Sequence, residues 1–398
     1  MTLIHERDPG GAPATHALVI GIGAYPWLLD GAEQGDAALA DGMGQLSSPP
    51  VSARAIAKWL VGSHADPGAP LATVDLLISE EGGGQAPLGT GEEVFQAEPA
   101  DKATMVAAIR AWRARCNEHP DNLALFFFCG HGVGRGFDLV LLAHDYGSDP
   151  EQPFEHSIWF EGMKEAMRSC EATRQLFFID ACRVHSAKLS ADYTVKLDPV
   201  MSVRTPFTVG VRQSVYHATT SGAPAFGRPD RPSLFTQNLI KGLEGLGAND
   251  NRGEWWVETT GLQRALTGLA DEFADEEDRG LQAPTSGEQV SFDFQRLDDP
   301  PVVPLYLHPS WTEEGDDPPA DLADVGVDLE DIELLRWPNP WHENPDCVWR
   351  GDRFRCERPA GSRYSWSVTF TDGRQMRSLP VTLNPPFRIV EFPRDDIA

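Results

Sequence analysis

A series of short, nearly unbroken apolar runs constrains the fold of this chain more than any other feature. Each run is five to seven residues long. The runs are Ala17–Gly21, Thr73–Ile78, Leu123–Cys129, Asp138–Ala143 and Gln175–Asp180, and the more polar segment Ser214–Thr219 is interpreted as a further strand. Apolar runs of this kind are typical of strands that are buried on both faces of a parallel sheet. The sequence therefore predicts six strands.

Segments with helical periodicity separate these runs. Helices are predicted near 51–61, 102–117, 160–170, from 233 onwards and over 261–273. In the second of them Met105, Ile109 and Trp112 recur on one face, and Asp101 is a suitable N-cap. Alternating strands and helices predict an α/β fold with a mostly parallel sheet flanked by helices.

The pattern predicts three segments along the chain. An α/β domain covers 14–297, and the span 298–335 is acidic and Pro-rich, which favours a linker. The remaining span, 336–398, is predicted to be a small β-rich module. Within it the alternation over Tyr364–Phe370 runs into Asp372-Gly373, a strong hairpin signal.

The charge and the termini exclude several classes of partner. The chain carries 60 acidic against 33 basic residues, a formal net charge of −27, which would repel nucleic acid and anionic membranes. No apolar run approaches the roughly 18–20 residues that span a bilayer. Met1–Pro13 shows no signal-peptide pattern, so we expect a cytoplasmic protein without nucleic-acid or membrane partners.

Six cysteines are too few and too scattered for a disulfide framework, and no C-x-x-C pair indicates zinc. Cys347 and Cys356 could face each other across a hairpin. In a reducing compartment we expect them to remain unbonded thiols.

Two of the predicted strands end in residues with reactive side chains. One runs into Gly130-His131-Gly132 and another into Ala181-Cys182-Arg183. Reactive groups of parallel sheets collect at the carboxyl ends of strands. A thiol becomes a nucleophile at neutral pH when an imidazole takes its proton. The glycine at 132 would let a backbone N–H approach a substrate oxyanion.

Simpler interpretations remain open at this point. A cysteine that ends an apolar run is most often a core residue, and a lone histidine is most often structural. Three further histidines also lie near predicted strand ends, and periodicity alone does not exclude them: His144, His185 and His217.

Three segments resemble a known family, the caspase-like cysteine peptidases, and in particular bacterial metacaspase and paracaspase relatives. They are Leu18–Tyr25, Phe126–Gly132 and Phe177–Arg183, which are similar to the family's first strand, histidine loop and cysteine loop. The order matches, and the interval of 51 residues (182 − 131) agrees with the roughly fifty residues of caspases. The resemblance extends over about Ala17–Leu297.

The resemblance implies roles for individual residues. Cys182 would be the nucleophile and His131 the base, while the N–H groups of Gly132 and Cys182 would bind the oxyanion. Asp180 matches the acid with which metacaspases and paracaspases select Arg or Lys, where true caspases carry Gln. This chain departs from the basic-specific members at two further pocket positions, which hold Ser52 and the segment 223–225.

The function predicted in this way is that of a cysteine endopeptidase acting through an acyl-enzyme on protein or peptide substrates with basic cleavage sites. The alternative is a catalytically silent caspase-fold binding or adaptor module. Family members commonly cut themselves after the cysteine strand, and the loop 183–210 offers Lys188, Lys196 and Arg204. A regulatory protein partner would fit an enzyme whose activity is controlled by cleavage of this loop.

Calcium is used by many metacaspases, but no D-x-[DN]-x-[DN]-G loop occurs in this chain. The acidic run Asp275–Asp278 is typical of a solvated helix end. We therefore expect no cofactor and no metal ligands, with calcium as the alternative.

Overall fold

The computed structural model divides the chain into two compact units. One comprises Met1–Ile240 and Glu258–Arg296, and the other Lys241–Val257 and Leu297–Ala398. The structure describes residues 2–34, 42–87, 94–135, 138–182, 184–185, 198–203, 205–219, 231–272, 284–287, 290–310, 327–337, 341–343, 347–349, 353–370, 373 and 375–393. Among these residues no helix is both long and apolar enough to cross a membrane.

The secondary structure follows the predicted alternation of strands and helices. The first twelve strands are β1 (Thr2–Glu6), β2 (Thr15–Ile22), β3 (Leu71–Ser79), β4 (Gly84–Pro87), β5 (Val94–Ala97), β6 (Leu123–Gly130), β7 (Gly132–Arg135), β8 (Asp138–Leu142), β9 (Ser157–Trp159), β10 (Arg174–Ala181), β11 (Val184–His185) and β12 (Arg212–His217). The helices are α1 (Ser48–Ser63), α2 (Lys102–Cys116), α3 (Phe160–Met167), α4 (Leu234–Lys241) and α5 (Thr259–Glu272). The later strands are β13 (Ala248–Asn251), β14 (Glu254–Glu258), β15 (Thr285–Ser286), β16 (Asp293–Leu297), β17 (Val302–Ser310), β18 (Val327–Trp337), β19 (Trp341–Glu343), β20 (Val348–Trp349), β21 (Phe354–Pro359), β22 (Arg363–Phe370), β23 (Gln375–Arg377), β24 (Val381–Thr382) and β25 (Arg388–Pro393).

A seven-stranded sheet forms the centre of the first unit, in the order β1-β3-β2-β6-β10-β12-β15. The five inner strands are parallel to their neighbours, and β1 and β15 pair antiparallel at the two edges. Four of the predicted apolar runs lie within these strands, and the predicted strand Ser214–Thr219 extends two residues past the end of β12. The run Asp138–Ala143 instead corresponds to β8, which belongs to a separate four-stranded sheet. The predicted α/β fold with a mostly parallel sheet is therefore confirmed.

Helices cover both faces of this sheet. Residues of even number in β2 and β6, such as Leu18 and Phe126, join the apolar core formed with α2 and α3. On the other face α1 approaches β2 very closely, because a Cβ at Gly21 would lie 2.5 Å from the Pro49 carbonyl oxygen. The absence of a side chain at Gly21 therefore lets α1 pack directly on the strand.

Local signals explain where the helices begin. The Asp101 carboxylate accepts a hydrogen bond from the Thr104 N–H at 2.8 Å, which confirms it as the N-cap of α2. Helix α1 has proline in its first turn, where a missing N–H leaves no hydrogen bond unmade. Trp112 of α2 donates from its indole to the His16 carbonyl of β2 at 3.0 Å, which fixes the helix against the sheet.

The second unit is built from antiparallel and mixed β-sheets. One has the order β20-β21-β17-β25, and another has the order β19-β18-β22-β23, with β24 also paired to β22. The hairpin predicted at Asp372-Gly373 is confirmed by the antiparallel pairing of β22 with β23. Gly373 has a φ of +85°, and its N–H donates to the Phe370 carbonyl at 2.8 Å.

The predicted linker over 298–335 is corrected by this unit. Strand β17 and most of β18 lie within that span, and β17 pairs with both β21 and β25. Residues 303–307 of β17 are all buried, with Val303, Leu305 and Leu307 on one face. This short buried run lies among prolines and acidic residues, which concealed it at the level of composition. The unit also includes Lys241–Val257, so it is not one continuous segment of the chain.

The expectation of two unbonded thiols in this unit is also wrong. Cys347 and Cys356 form a disulfide with a Cα–Cα distance of 4.6 Å. Cys347 directly precedes β20, and Cys356 lies in β21. The antiparallel pairing of these two strands brings the cysteines together.

Candidate active site

The strand register places His131 beside Cys182. Strands β6 and β10 are parallel, and their pairing ends with Gly130 opposite Ala181. Strands β7 and β11, which follow them, are again parallel and begin with Val133 opposite Val184. Both pairings have an offset of 51 residues (181 − 130 and 184 − 133). His131 and Cys182 have the same offset and therefore occupy equivalent positions between the two ladders.

Close backbone packing brings the two strand ends together at Gly132. A Cβ there would lie 2.8 Å from the Cys182 carbonyl oxygen and 3.0 Å from the Ala181 Cβ. Since these contacts leave no room for a side chain, only glycine permits this approach. Glycine at 132 therefore lets the histidine loop and the cysteine loop pack closely at the edge of the sheet that they share.

The ladder between β7 and β8 also sets the direction of the Gly132 N–H. The Leu142 N–H donates to the His131 carbonyl at 3.1 Å, so Gly132 and Leu141 form a non-hydrogen-bonded pair. The Gly132 N–H is therefore directed away from β8. The neighbour of β7 on that other side is β11, the strand that follows Cys182.

His131 is fixed by contacts on its backbone and on its ring. Its N–H donates to the Tyr25 hydroxyl at 2.8 Å, and its Nε2 lies 2.7 Å from the Gly44 carbonyl oxygen. The Tyr25 ring packs against the imidazole with a centroid distance of 4.7 Å. These contacts bury His131, whose residue surface is only 7% exposed.

The contact with Gly44 determines which ring nitrogen of His131 carries the proton. A carbonyl oxygen can only accept a hydrogen bond, so Nε2 is the protonated nitrogen and Nδ1 is the nitrogen able to take up a proton. Burial lowers the pKa of His131 to about 4, while the hydrogen bond to Gly44 opposes that shift. The imidazole is therefore neutral near pH 7, which is the form that a general base requires.

The two cysteines near this edge have different surroundings. Cys182 is partly exposed, whereas Cys129 is buried near the end of β6. The Cys129 thiol donates to Asp180 Oδ2 at 3.3 Å. Burial, followed by the charge of Asp180, raises the pKa of Cys129 well above its ordinary value. Of these two thiols, only Cys182 combines access with the position beside His131.

Asp180 lies in a buried cluster of hydroxyl groups. Its Oδ2 accepts hydrogen bonds from the hydroxyl groups of Ser233 and Thr236, the latter at 2.8 Å, in addition to the Cys129 thiol. The residue is 3% exposed. Burial raises the pKa of Asp180, and the three hydrogen bonds oppose this shift. Asp180 therefore connects the end of β10 to the first turn of α4.

Ser52 belongs to the same cluster. It is fully buried on α1, and its hydroxyl oxygen accepts a hydrogen bond from the Ser233 N–H at 3.0 Å. Ser233 in turn accepts from the Thr236 N–H at 3.0 Å, as an N-cap of α4 does. The other departure from the family pattern, the segment 223–225, lies outside the described residues.

Two of the alternative histidines, His144 and His217, have other partners. His144 Nδ1 lies 2.6 Å from the Ala24 carbonyl oxygen, and the buried ring of His217 packs edge-on against Phe160. His185 is the second residue of β11, the short strand that follows Cys182. Lys188, Lys196 and Arg204, which were predicted as processing sites, lie outside the described residues.

Sequence reasoning missed the residues that support His131 and Asp180. Gly44 is 87 positions away from His131 along the chain, and no periodic signal connects them. Tyr25 lies at the end of a segment with family resemblance, which is a signal for its importance but not for its contact. Ser233 was identified as the start of a helix, and Thr236 follows at the spacing of a capping contact.

A family model and a bacterial protein both match parts of this chain. A family model described as the caspase domain matches residues 14–294. An uncharacterized protein of Sinorhizobium fredii is 28% identical over 188 residues, which are 46% of this chain and 51% of that protein. The chain thus spans about half the length of that relative.

Two solved structures are also similar at the level of the chain trace. A protein from Geobacter sulfurreducens has 13% identity and a TM-score of 0.42, with 70% of this chain and 94% of that chain covered. Caspase-1 from Spodoptera frugiperda has 13% identity and a TM-score of 0.39, with 73% and 96% covered.

Proposed function

Because the chain belongs to the caspase-domain family, we propose that it is a cysteine endopeptidase whose nucleophile is Cys182 and whose general base is His131. The family itself supports a peptidase function and protein substrates. The observation that supports the assignment of the dyad is the common offset of the β6–β10 and β7–β11 pairings, since His131 and Cys182 have the same offset along the chain.

The proposed reaction begins with transfer of the Cys182 thiol proton to His131 Nδ1. The thiolate sulfur attacks the peptide carbonyl, and the carbonyl electron pair moves to oxygen. The N–H of Gly132, directed away from β8, and the N–H of Cys182 donate to this oxyanion. Collapse breaks the C–N bond, the leaving amine takes the proton from His131, and an acyl-enzyme remains. Water, deprotonated by His131, then releases the acid and restores the thiol.

His131 suits both halves of this cycle. Its Nε2–H donates to the Gly44 carbonyl, and that bond becomes stronger when the ring acquires a positive charge. The same contact keeps Nδ1 as the atom that gains and loses the proton. The proposed chemistry uses groups of the chain alone and needs no cofactor, and it is consistent with a cytoplasmic enzyme.

We further propose that substrates are cut after Arg or Lys. Asp180 is two residues before the nucleophile, and its buried charge would attract a cation and repel an acidic side chain. Its hydroxyl partners stabilise the ionised form without neutralising it. The second proposal, selectivity, can fail while the first, peptidase activity, holds.

Turnover of an arginyl fluorogenic peptide tests the peptidase assignment. Wild type is expected to cleave it, and Cys182→Ala and His131→Ala are each expected to lose at least about a thousand-fold in kcat, since the two residues act as one unit. Circular dichroism checks that both variants are folded. A wild type without turnover on arginyl, lysyl and aspartyl peptides would favour the silent adaptor module instead.

Self-processing in the loop 183–210 is a separate proposal. A pocket that holds Asp180 would accept Lys188, Lys196 or Arg204 as cleavage residues. Intact-mass analysis should find fragments that meet after one of these residues in the wild type and a whole chain in Cys182→Ala. Full peptidase activity from a chain that stays whole would contradict this proposal alone.

A further inference from the structure

The support of His131 depends on a second loop that carries Gly44. The segment Gly42–Leu46 lies along Tyr25–Leu29, and Leu29 and Gly44 form a parallel β-bridge. Two backbone hydrogen bonds connect this segment to residues 23–29. The Leu29 N–H donates to the Met43 carbonyl at 3.2 Å, and the Leu46 N–H donates to the Gly23 carbonyl at 2.8 Å. They hold the segment on both sides of the Gly44–Gln45 peptide.

The Gln45 side chain makes the most extensive connection between the two loops. Its Oε1 accepts from the Tyr25 N–H at 2.7 Å. Its Nε2 donates to the carbonyl oxygens of Tyr25 at 2.9 Å and Leu29 at 3.0 Å. One amide therefore satisfies a donor and two acceptors of the loop that also supplies the Tyr25 ring and hydroxyl.

Gln45 is adjacent to the carbonyl that binds His131. The Gly44 carbonyl belongs to the peptide that joins Gly44 to Gln45, so the orientation of this peptide decides where the oxygen points. Glycine restricts its own backbone less than any other residue, and Gly44 by itself leaves that orientation loosely defined. Anchoring the Gln45 side chain on Tyr25 and Leu29 restricts the peptide from its other end.

We propose that Gln45 is a positioning residue for the general base. By clamping the Gly44 carbonyl onto His131 Nε2, it selects the tautomer in which Nδ1 is able to take the Cys182 proton. The same amide holds Tyr25, whose hydroxyl accepts from the backbone N–H of His131. One side chain therefore orders both hydrogen bonds of the histidine, that of its backbone and that of its ring. The catalytic part of this inference rests on the proposed function, whereas the tautomer does not.

Gln45→Met is the direct test, because methionine preserves length and volume and removes all three hydrogen bonds. We expect kcat on an arginyl peptide to fall roughly 10–100-fold with KM nearly unchanged, which is the usual cost of a misplaced catalytic group. Alkylation of Cys182 by iodoacetamide, which needs no substrate pocket, should slow in parallel. Gln34→Met is the matched control, since Gln34 lies in the same loop and its side chain bonds only the Asp30 N–H in the described contacts.

The tautomer gives a readout that a merely structural role would not change. In protein with ¹⁵N-labelled histidine, the ring signal that disappears in His131→Ala identifies His131. Wild type and Gln34→Met should show the Nε2–H tautomer, and Gln45→Met should show a mixture of both tautomers. A folded Gln45→Met with wild-type kcat and a pure Nε2–H signal would overturn the proposal.

Gln45→Glu provides a second variant if the methionine substitution does not fold. The carboxylate can accept from the Tyr25 N–H, but it repels the two carbonyl oxygens that the amide bound. It should therefore shift the tautomer in the same direction. If the wild type has no peptidase activity but the His131 tautomer still changes in the Gln45 variants, the proposed function is rejected and the positioning role of Gln45 is retained. If the wild type is active and the His131 tautomer is unchanged in both Gln45 variants, only the positioning role is rejected.

Discussion

Cys129 and Cys182 make an instructive comparison, because both lie at the carboxyl end of an apolar strand of the same sheet. Cys129 is buried, and its thiol donates a hydrogen bond to Asp180. Cys182 is partly exposed and lies at the position equivalent to His131. Burial and a neighbouring carboxylate disfavour a thiolate, and a neutral imidazole favours one. The neighbours of a cysteine therefore decide its chemistry, and the residue type and strand position do not.

The comparison explains why two residues of the cysteine strand serve different purposes. Asp180 lies opposite Cys129 in the β6–β10 register, and Cys182 corresponds to His131 two residues further along. The first pair is linked to α4 through Ser233 and forms part of the core. The second pair, Cys182 and His131, lies between the β6–β10 and β7–β11 pairings, and in it Cys182 is partly exposed.

The largest effect expected from this comparison is on activity. Cys182→Ala should lower kcat on an arginyl peptide by at least about a thousand-fold. Cys129→Ala should leave kcat within about three-fold, because its thiol faces the buried cluster. Steady-state kinetics of the two variants decides the matter. A loss of comparable size in a folded Cys129→Ala would remove the distinction between the two cysteines.

Charge at Asp180 is expected to have the next largest effect. Asp180→Asn retains the volume and an acceptor for the hydroxyls, but removes the charge, so the preference for Arg or Lys over neutral residues should fall roughly 10–100-fold. Ser233→Ala is the matched control, because it removes one hydrogen bond from the same oxygen and keeps the charge. Profiling both variants with a peptide library measures the preference. Unchanged selectivity in Asp180→Asn would exclude it as the specificity acid.

Cys129 should instead affect stability. Cys129→Ala removes a buried thiol and one donor to the Asp180 carboxylate, and we expect the free energy of unfolding to fall by about 1–2 kcal/mol. Cys129→Ser keeps a donor at this position and should recover part of the loss. Urea denaturation of the three proteins gives the values. Equal stability of wild type and Cys129→Ala would show that the contact with Asp180 is energetically neutral.

A smaller effect concerns pH and His131. The pKa of His131 is lowered to about 4 in the folded protein from an unfolded value of 6.5, so the unfolded chain takes up the proton first as pH falls. This histidine therefore costs stability progressively between pH 6.5 and about 4. His131→Gln, which does not titrate, should gain in Tm relative to wild type between pH 7 and pH 5. Cys182→Ala is the control and should show no such gain in Tm. A Tm difference between His131→Gln and wild type that stays constant with pH would contradict a neutral buried imidazole.

The sequence predicted the five parallel strands and the helices between them because each has its own local signal, such as the apolar run of β6 or the Asp101 cap of α2. It also predicted that the strands leading to His131 and Cys182 end at one edge of the sheet, which the parallel register of β6 and β10 confirms. That the two residues act as a dyad stays a prediction. It did not predict the support from Gly44 and Gln45, because those contacts join distant loops that have no periodicity. Composition was misleading for β17, whose buried run over 303–307 lies between acidic and Pro-rich stretches.

Covalent labelling compares the two cysteines most directly. An arginyl acyloxymethyl ketone reacts when a thiolate displaces its carboxylate leaving group, and peptide mapping by mass spectrometry then locates the adduct. We expect an adduct on Cys182 of the wild type, none on Cys129, none in Cys182→Ala, and much slower labelling in His131→Ala. Labelling on Cys129 under native conditions, or an undiminished rate on Cys182 in folded His131→Ala, would contradict the assignment of nucleophile and base.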